Sequence, residues 1–208
     1  QNPLSKYFRQ PAIYMKLPSN GQFWPEGTVE LPVTGEIPIY PMTARDEITI
    51  RTPDALLNGQ GVVDVIQSCC PNITDAWKMP SIDVDTVLLG IRIASYGQNM
   101  DFDTTCPNCK EEASFTVDIG NIIGQISMPN YSNALEIDGL KITLRPQPYF
   151  EVNRINQLQF IEEQILRTVN DSDISEEEKK ADRATANSLL LRATIIALAI
   201  TGLIYFWP

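Results

Sequence analysis

The chain has 208 residues, 43% of them apolar, no histidine, and a formal charge of −10 at pH 7. That length and apolar share suit one large domain or two small ones with a real core. The missing histidine excludes imidazole bases, Ser–His and Cys–His pairs and imidazole zinc ligands from this chain, and the acidic balance argues against a nucleic-acid backbone as main partner, because phosphates need clustered Lys and Arg.

The opening "QNPLSKYFRQP" carries no secretory pattern. Four cysteines in 208 residues are too few for a disulfide scaffold, so a reducing compartment is expected. Residues 1–60 read as extended. Ile13, Met15 and Leu17 alternate, and Ser19-Asn20-Gly21 then turns the chain, which predicts strand, turn, strand. "TVELPV" and "EIPIYPM" are punctuated by Pro32, Pro38 and Pro41, so they read as edge strands. "DEITIRTP" alternates Ile48 and Ile50 inward as a further strand. This proline-rich segment is either the loop-rich half of a domain or an arm that completes its burial on a neighbouring subunit. On the arm reading, removing residues 1–45 leaves a folded remainder.

The period changes at residue 61. "GVVDVIQSCC" places Val62, Val65, Ile66 and Cys69 on one helical face, and Pro71 ends that helix. "DVDTVLLGIRIASYG" repeats apolar residues at Val84, Val87, Leu88 and Ile91, with Asp83 or Ser81 as its cap and Gly97 as its left-handed end. Trp77, in the connector, reads as a plug over the helix pair. "MDFDTTCPNCKEEASFTVDI" predicts a hairpin whose turn carries C-x-x-C, "GNIIGQI" a short helix, and "ALEIDGLKITLRP" a hairpin turning on Asp138-Gly139. Residues 148–207 predict a helical hairpin. Its first helix has a stripe of Val152, Ile155, Leu158, Ile161 or Glu162, Ile165 and Val169. Its second begins at the capping box Ser175-x-x-Glu178. The class is therefore α+β: an extended β-rich arm over 1–60, a central α+β domain over 61–150, and a helical hairpin over 151–208.

The stretch from Leu189 to Trp207 is strongly apolar, but its uncharged part, from Ala193, falls short of the roughly 20 residues that span a bilayer. A helix buried in a protein assembly accounts for the same residues without lipid. "GQG" at 59–61 is too short for a phosphate cradle.

Chemistry-bearing residues are few. Cys106 and Cys109 have the spacing that supplies two of four structural zinc ligands. Cys69 and Cys70 are the remaining thiols, but neighbours on a helix point about 100° apart. Water, Glu111 or a partner's C-x-x-C are the other ways to complete a shell. A thioredoxin-like role needs a helix after the first cysteine, where "KEEASFTVDI" reads as strand. The default is a knuckle turn with packed or solvated thiols. Asp101 and Asp103 share a strand face, for which solvated polarity suffices. No nucleophile stands with its base.

Several stretches, "FRQPAIYMKLPSNGQFW", "GEIPIYPMTARDEITIRTPDALLNGQGVVDVIQSCCP", "MPSIDVDTVLLGIRIASYG" and "MDFDTTCPNCKEEASFTVDI", resemble in this order the baseplate protein family of T4-like contractile-tailed phages, which are described as hub subunits or hub assembly proteins. The resemblance covers residues 8–120. It implies a non-enzymatic structural subunit of the virion tail, assembled in the host cytoplasm. The implied partners are other baseplate and tail proteins and further copies in a threefold or sixfold ring, with neither nucleic acid nor a required membrane contact. A zinc-stabilised assembly factor or a membrane-contacting protein that leaves before the virion matures is the alternative.

Overall fold

Residues 13–16 and 36–39 are the strands that proline and alternation predict. In the computed structural model, which describes residues 9–53 and 58–171, they pair with each other. Strand β1 (Ile13–Lys16) runs antiparallel to β2 (Glu36–Ile39), with Met15 opposite Ile37 and Tyr14 opposite Pro38. The expected local partner of β1 is absent. Ser19-Asn20-Gly21 does turn the chain, with Asn20 at φ 50° and Gly21 at φ 78°, but residues 22–24 form no strand. "TVELPV" is likewise no strand. Val29 makes an isolated bridge to Ile73, and Glu30 N–H donates to the Asn72 carbonyl at 2.8 Å.

Helix α1 (Ala44–Ile50) replaces the strand expected over "DEITIRTP". Thr43 caps it. The Thr43 N–H donates to the Asp46 carboxylate at 2.7 Å, and the Asp46 N–H donates back to the Thr43 hydroxyl at 3.3 Å. Ile48, read as inward-facing, is 69% exposed. Helices α2 (Gln60–Cys69) and α3 (Ser81–Tyr96) stand where periodicity puts them, and Gly97 at φ 88° ends the second. In α2 the buried residues are Gly61, Val63, Val65, Ile66 and Cys69; Val62 is half-buried.

One core joins these elements. Met15, Leu17, Ile37 and Ile39 from the proline-rich segment are buried together with Val63, Val65, Ile66, Met79, Val87 and Ile91, and β1 and β2 lie against α3. A chain without residues 1–45 would lose four of these side chains, so the expectation of a folded remainder is corrected. Gly90 sets the closeness of the packing. A Cβ there would stand 2.5 Å from Met15 Sδ, so any larger residue forces the Met15 side chain to shift within the core.

The linker between β2 and α1 is clamped to helix ends. The Tyr40 N–H donates to the Cys69 carbonyl at 2.8 Å, the Met42 N–H donates to Ser95 Oγ at 2.9 Å, and Arg9 donates to the Ser68 carbonyl at 2.9 Å and to that of Pro41. The orphan carbonyls at the C-terminus of α2 are satisfied in this way, beside a cation that suits the helix dipole.

Strands β3 (Asn99–Thr105) and β4 (Glu112–Asp118) form the expected hairpin, followed by helix α4 (Ile119–Gln125), which packs on α3. The chain divides into two compact units, Gln1–Met128 and Pro129–Pro208. In the second, β5 (Leu135–Ile137) and β6 (Leu140–Ile142) pair across Asp138 and Gly139, at φ 50° and 79°, the two left-handed residues that a type I′ turn requires. Helix α5 (Tyr149–Asp171) follows. Along its stripe Val152 and Ile155 are half-buried, Leu158 is exposed, and Glu162 rather than Ile161 is the buried residue of its turn. The side chains of Ile165 and Val169, the second helix with Ser175 and Glu178, and the apolar stretch 189–207 lie outside the described residues.

Candidate functional site

The β3–β4 hairpin is built from two alternating sequences, "NMDFDTT" and "EASFTVD", paired in register from Asn99–Asp118 to Thr105–Glu112. Alternation gives the ribbon two unlike faces. One carries Met100, Phe102, Ala113, Phe115 and Val117, with Phe102 directly opposite Phe115. The other carries Asp101, Asp103, Ser114 and Thr116. Here Thr116 Oγ1 donates to Asp101 and Ser114 Oγ to Asp103, each at 2.7 Å. The two aspartates are thus absorbed by cross-strand hydrogen bonds on a solvated face. The apolar face is left open: Phe102 is 43% and Phe115 56% exposed, and only Met100 and Val117 are half-buried.

The tip of the hairpin is a knuckle. The Cys106 N–H donates to the Glu111 carbonyl at 2.9 Å and the Lys110 N–H to the Cys106 carbonyl at 3.0 Å, while Lys110 turns the chain at φ 61°. Backbone N–H groups of Cys109 and Asn108 and the Cys109 side chain bond the Cys106 sulfur, and together they lower its pKa below the ordinary thiol value. Cys109 Sγ lies 3.7 Å from Glu111 Oε2. The structure therefore brings Cys106 and Cys109 together, with Glu111 beside them.

Cys69 and Cys70 are placed elsewhere, buried at the C-terminus of α2. Burial raises the pKa of both thiols. For Cys69 the nearby Arg9 guanidinium, 3.3 Å from its sulfur, offsets part of that rise. Among the described residues no three of His, Cys, Asp and Glu gather as a group able to hold a metal. Also among them, no helix is long and apolar enough to cross a membrane.

The most enclosed polar cluster of the core was not legible as such in the sequence. The sequence offers Asp83 or Ser81 as the cap of α3. Pro80 instead occupies the cap position without a side-chain bond, and Asp83 reaches across to the loop after β1. Its carboxylate accepts from the Ser19 N–H at 2.9 Å, the Ser19 hydroxyl at 2.5 Å and Trp24 Nε1–H at 2.8 Å, and it is fully buried. Burial pushes its pKa up, against the lowering pull of these donors. The cluster fastens the loop and leaves no face for a substrate, so its role is structural. A groove of about 460 Å³ beside β1, lined by Tyr14, Lys16, Leu17, Thr86, Ile123 and Ile126, holds a single cationic side chain and no catalytic grouping.

A family model described as T4 bacteriophage base plate protein matches residues 12–189, and the chain belongs to that family. The match runs well past the 8–120 span of the sequence resemblance, through β5, β6 and α5. No curated protein and no solved structure matches the chain.

Proposed function

We propose that this member of the T4 bacteriophage base plate protein family is a structural subunit of the hub or inner baseplate of a contractile tail, acting by protein–protein assembly rather than catalysis. It repeats with threefold or sixfold symmetry, and it joins the virion after assembly in the host cytoplasm. Family membership itself places it among phage base plate proteins, with other tail proteins as partners.

The observation that supports the finer reading is the two-faced β3–β4 hairpin. A soluble two-stranded ribbon is marginal in water on its own. This one keeps its polar face satisfied within the chain while Phe102 and Phe115 stand open on the other. Covering such a pair removes apolar area from water at roughly 25 cal/mol per Å², and aromatic residues are enriched at the centres of protein interfaces. In the second unit Leu135, Ile137, Leu140 and Leu144 are exposed in the same manner.

Quantifying the chain in purified tails tests this. Retention at a fixed ratio to other baseplate proteins, in multiples of three or six copies, is expected. Presence during assembly followed by absence from finished tails would make it an assembly factor, and loss from every tail intermediate would overturn the reading.

A further inference from the structure

We propose that Cys106 and Cys109 at the β3–β4 tip bind Zn²⁺, and that a second copy of this chain completes the shell with its own Cys106 and Cys109. The ion then staples two hairpins tip to tip. Structural zinc is held by four protein ligands in tetrahedral array, with thiolates at C-x₂₋₄-C spacing as the usual pairs. The knuckle already meets the demands on one such pair. Its two thiols are within hydrogen-bonding reach of each other, and backbone N–H groups of Asn108 and Cys109 point at the first sulfur. N–H donors to a sulfur are what a thiolate-bound metal needs around it, since they spread its charge and fix its direction.

Ligand arithmetic then assigns the partner. All four cysteines of the chain are among the described residues, histidine is absent, and Cys69 and Cys70 are sealed in the core on another element. Glu111 lies 3.7 Å from the Cys109 sulfur, but among the described residues no three such side chains gather as a group able to hold a metal. The two missing ligands come most simply from an identical pair, which arrives with identical geometry and the same preference for soft thiolate. The open apolar pair Phe102 and Phe115 lies on the same ribbon, three residue pairs back from its Thr105–Glu112 end. Zinc binding releases the protons of the thiols it engages.

The test uses the full chain, purified reduced, loaded with Zn²⁺ and dialysed. About one Zn²⁺ per two chains is expected from a four-thiolate shell, with a dimer in sedimentation that a chelator returns to monomer. Co²⁺ in place of Zn²⁺ should give thiolate charge-transfer absorption and the visible bands of tetrahedral coordination. C106S/C109S should keep the far-ultraviolet circular dichroism of the parent and lose both metal and dimer. A folded parent that retains no zinc overturns the proposal, as does one zinc per chain on a persistent monomer, or full retention by C106S/C109S. The readouts are independent of tail incorporation, so failure here leaves the structural-subunit reading standing, and failure there leaves the metal site standing.

Discussion

The body formed by β1, β2, α2 and α3 and the β3–β4 hairpin belong to one compact unit, yet they treat their apolar residues in opposite ways. In the body Leu17, Ile37, Ile39, Val65 and Ile66 are essentially removed from water, and even the carboxylate of Asp83 finds three donors. In the hairpin the polar residues are satisfied and the aromatic ones left out. The body therefore stabilises the fold, whereas the hairpin leaves two aromatic side chains in water. The difference lies in sequence spacing. Helical periods and a glycine at position 90 let the body close on itself, while strict alternation over seven residues gives the ribbon a face on which Phe102 and Phe115 stand exposed and Met100 and Val117 are half-buried.

The largest blow to the body should come from Asp83→Ala. It strands the Ser19 and Trp24 N–H groups inside the core, and a buried donor without an acceptor costs about 1–3 kcal/mol. Relief of the carboxylate's own burial offsets part of this, so the net loss should be ~3 kcal/mol, read as a lower denaturant midpoint with unchanged slope. Asp83→Asn should recover only part, because its amide would face the Trp24 N–H donor to donor. Stability equal to that of the parent would show that the cluster does not hold the loop. Gly90→Leu comes next. Its side chain meets Met15 where even a Cβ does not fit, and overpacking of this kind costs about 1–3 kcal/mol. An unaltered midpoint would mean that the Met15 side chain gives way at little cost.

These sites also measure how much the sequence could disclose. The helices α2 and α3, the hairpin around C-x-x-C and the Asp138-Gly139 turn were legible, because each depends on spacing within a short window. Helix α1 was misread because Ile48 and Ile50 alternate. The better signal was Thr43 three residues before Asp46, a capping pair. The partner of β1 was misread because the nearby turn suggested a local hairpin, whereas β2 lies some twenty residues on and across two further turns. Asp83 was placed correctly in the first turn of α3, but Ser19 is 64 residues away in sequence, and no local pattern reports such a pairing. The knuckle was visible as a motif. Its isolation from Cys69 and Cys70 needed the fold.

A smaller effect on the body follows from Arg9→Met. Burial would raise the Asp46 pKa, but the Thr43 N–H and hydroxyl, Ser68 and Arg9, whose guanidinium lies 3.5 Å away, outweigh it and hold the pKa below the usual carboxylate value. A lowered native pKa gives stability that is present above the unfolded value near 3.9 and lost as pH falls through the native one. Removing Arg9 should cost ~1 kcal/mol at neutral pH and move the acid-unfolding midpoint upward, with the gap between parent and variant narrowing as Asp46 is protonated and the share owed to the Ser68 and Pro41 carbonyls persisting. Equal acid midpoints would show that Thr43 and Ser68 set the Asp46 ionisation without Arg9.

The smallest effect on folding is expected where the largest effect on assembly lies. Phe102→Ser with Phe115→Ser replaces two side chains that are about half in water already, so little burial within the chain is forfeited. Surface substitutions away from special features move stability by about ±0.5 kcal/mol, and the melting temperature of the double variant should stay close to the parent's. The same two rings, if a neighbour covers them, sit where truncation of interface aromatics costs about 2 kcal/mol or more each, which corresponds to at least a roughly thirtyfold loss of affinity per ring. Tails assembled with the double variant should therefore lack the subunit although the protein accumulates folded. A variant that unfolds would mean that the hairpin, like the body, is held by contacts within the chain. A folded variant that enters tails at the parent's ratio would mean that assembly uses another face, with the exposed leucines and isoleucine of β5 and β6 next to be replaced.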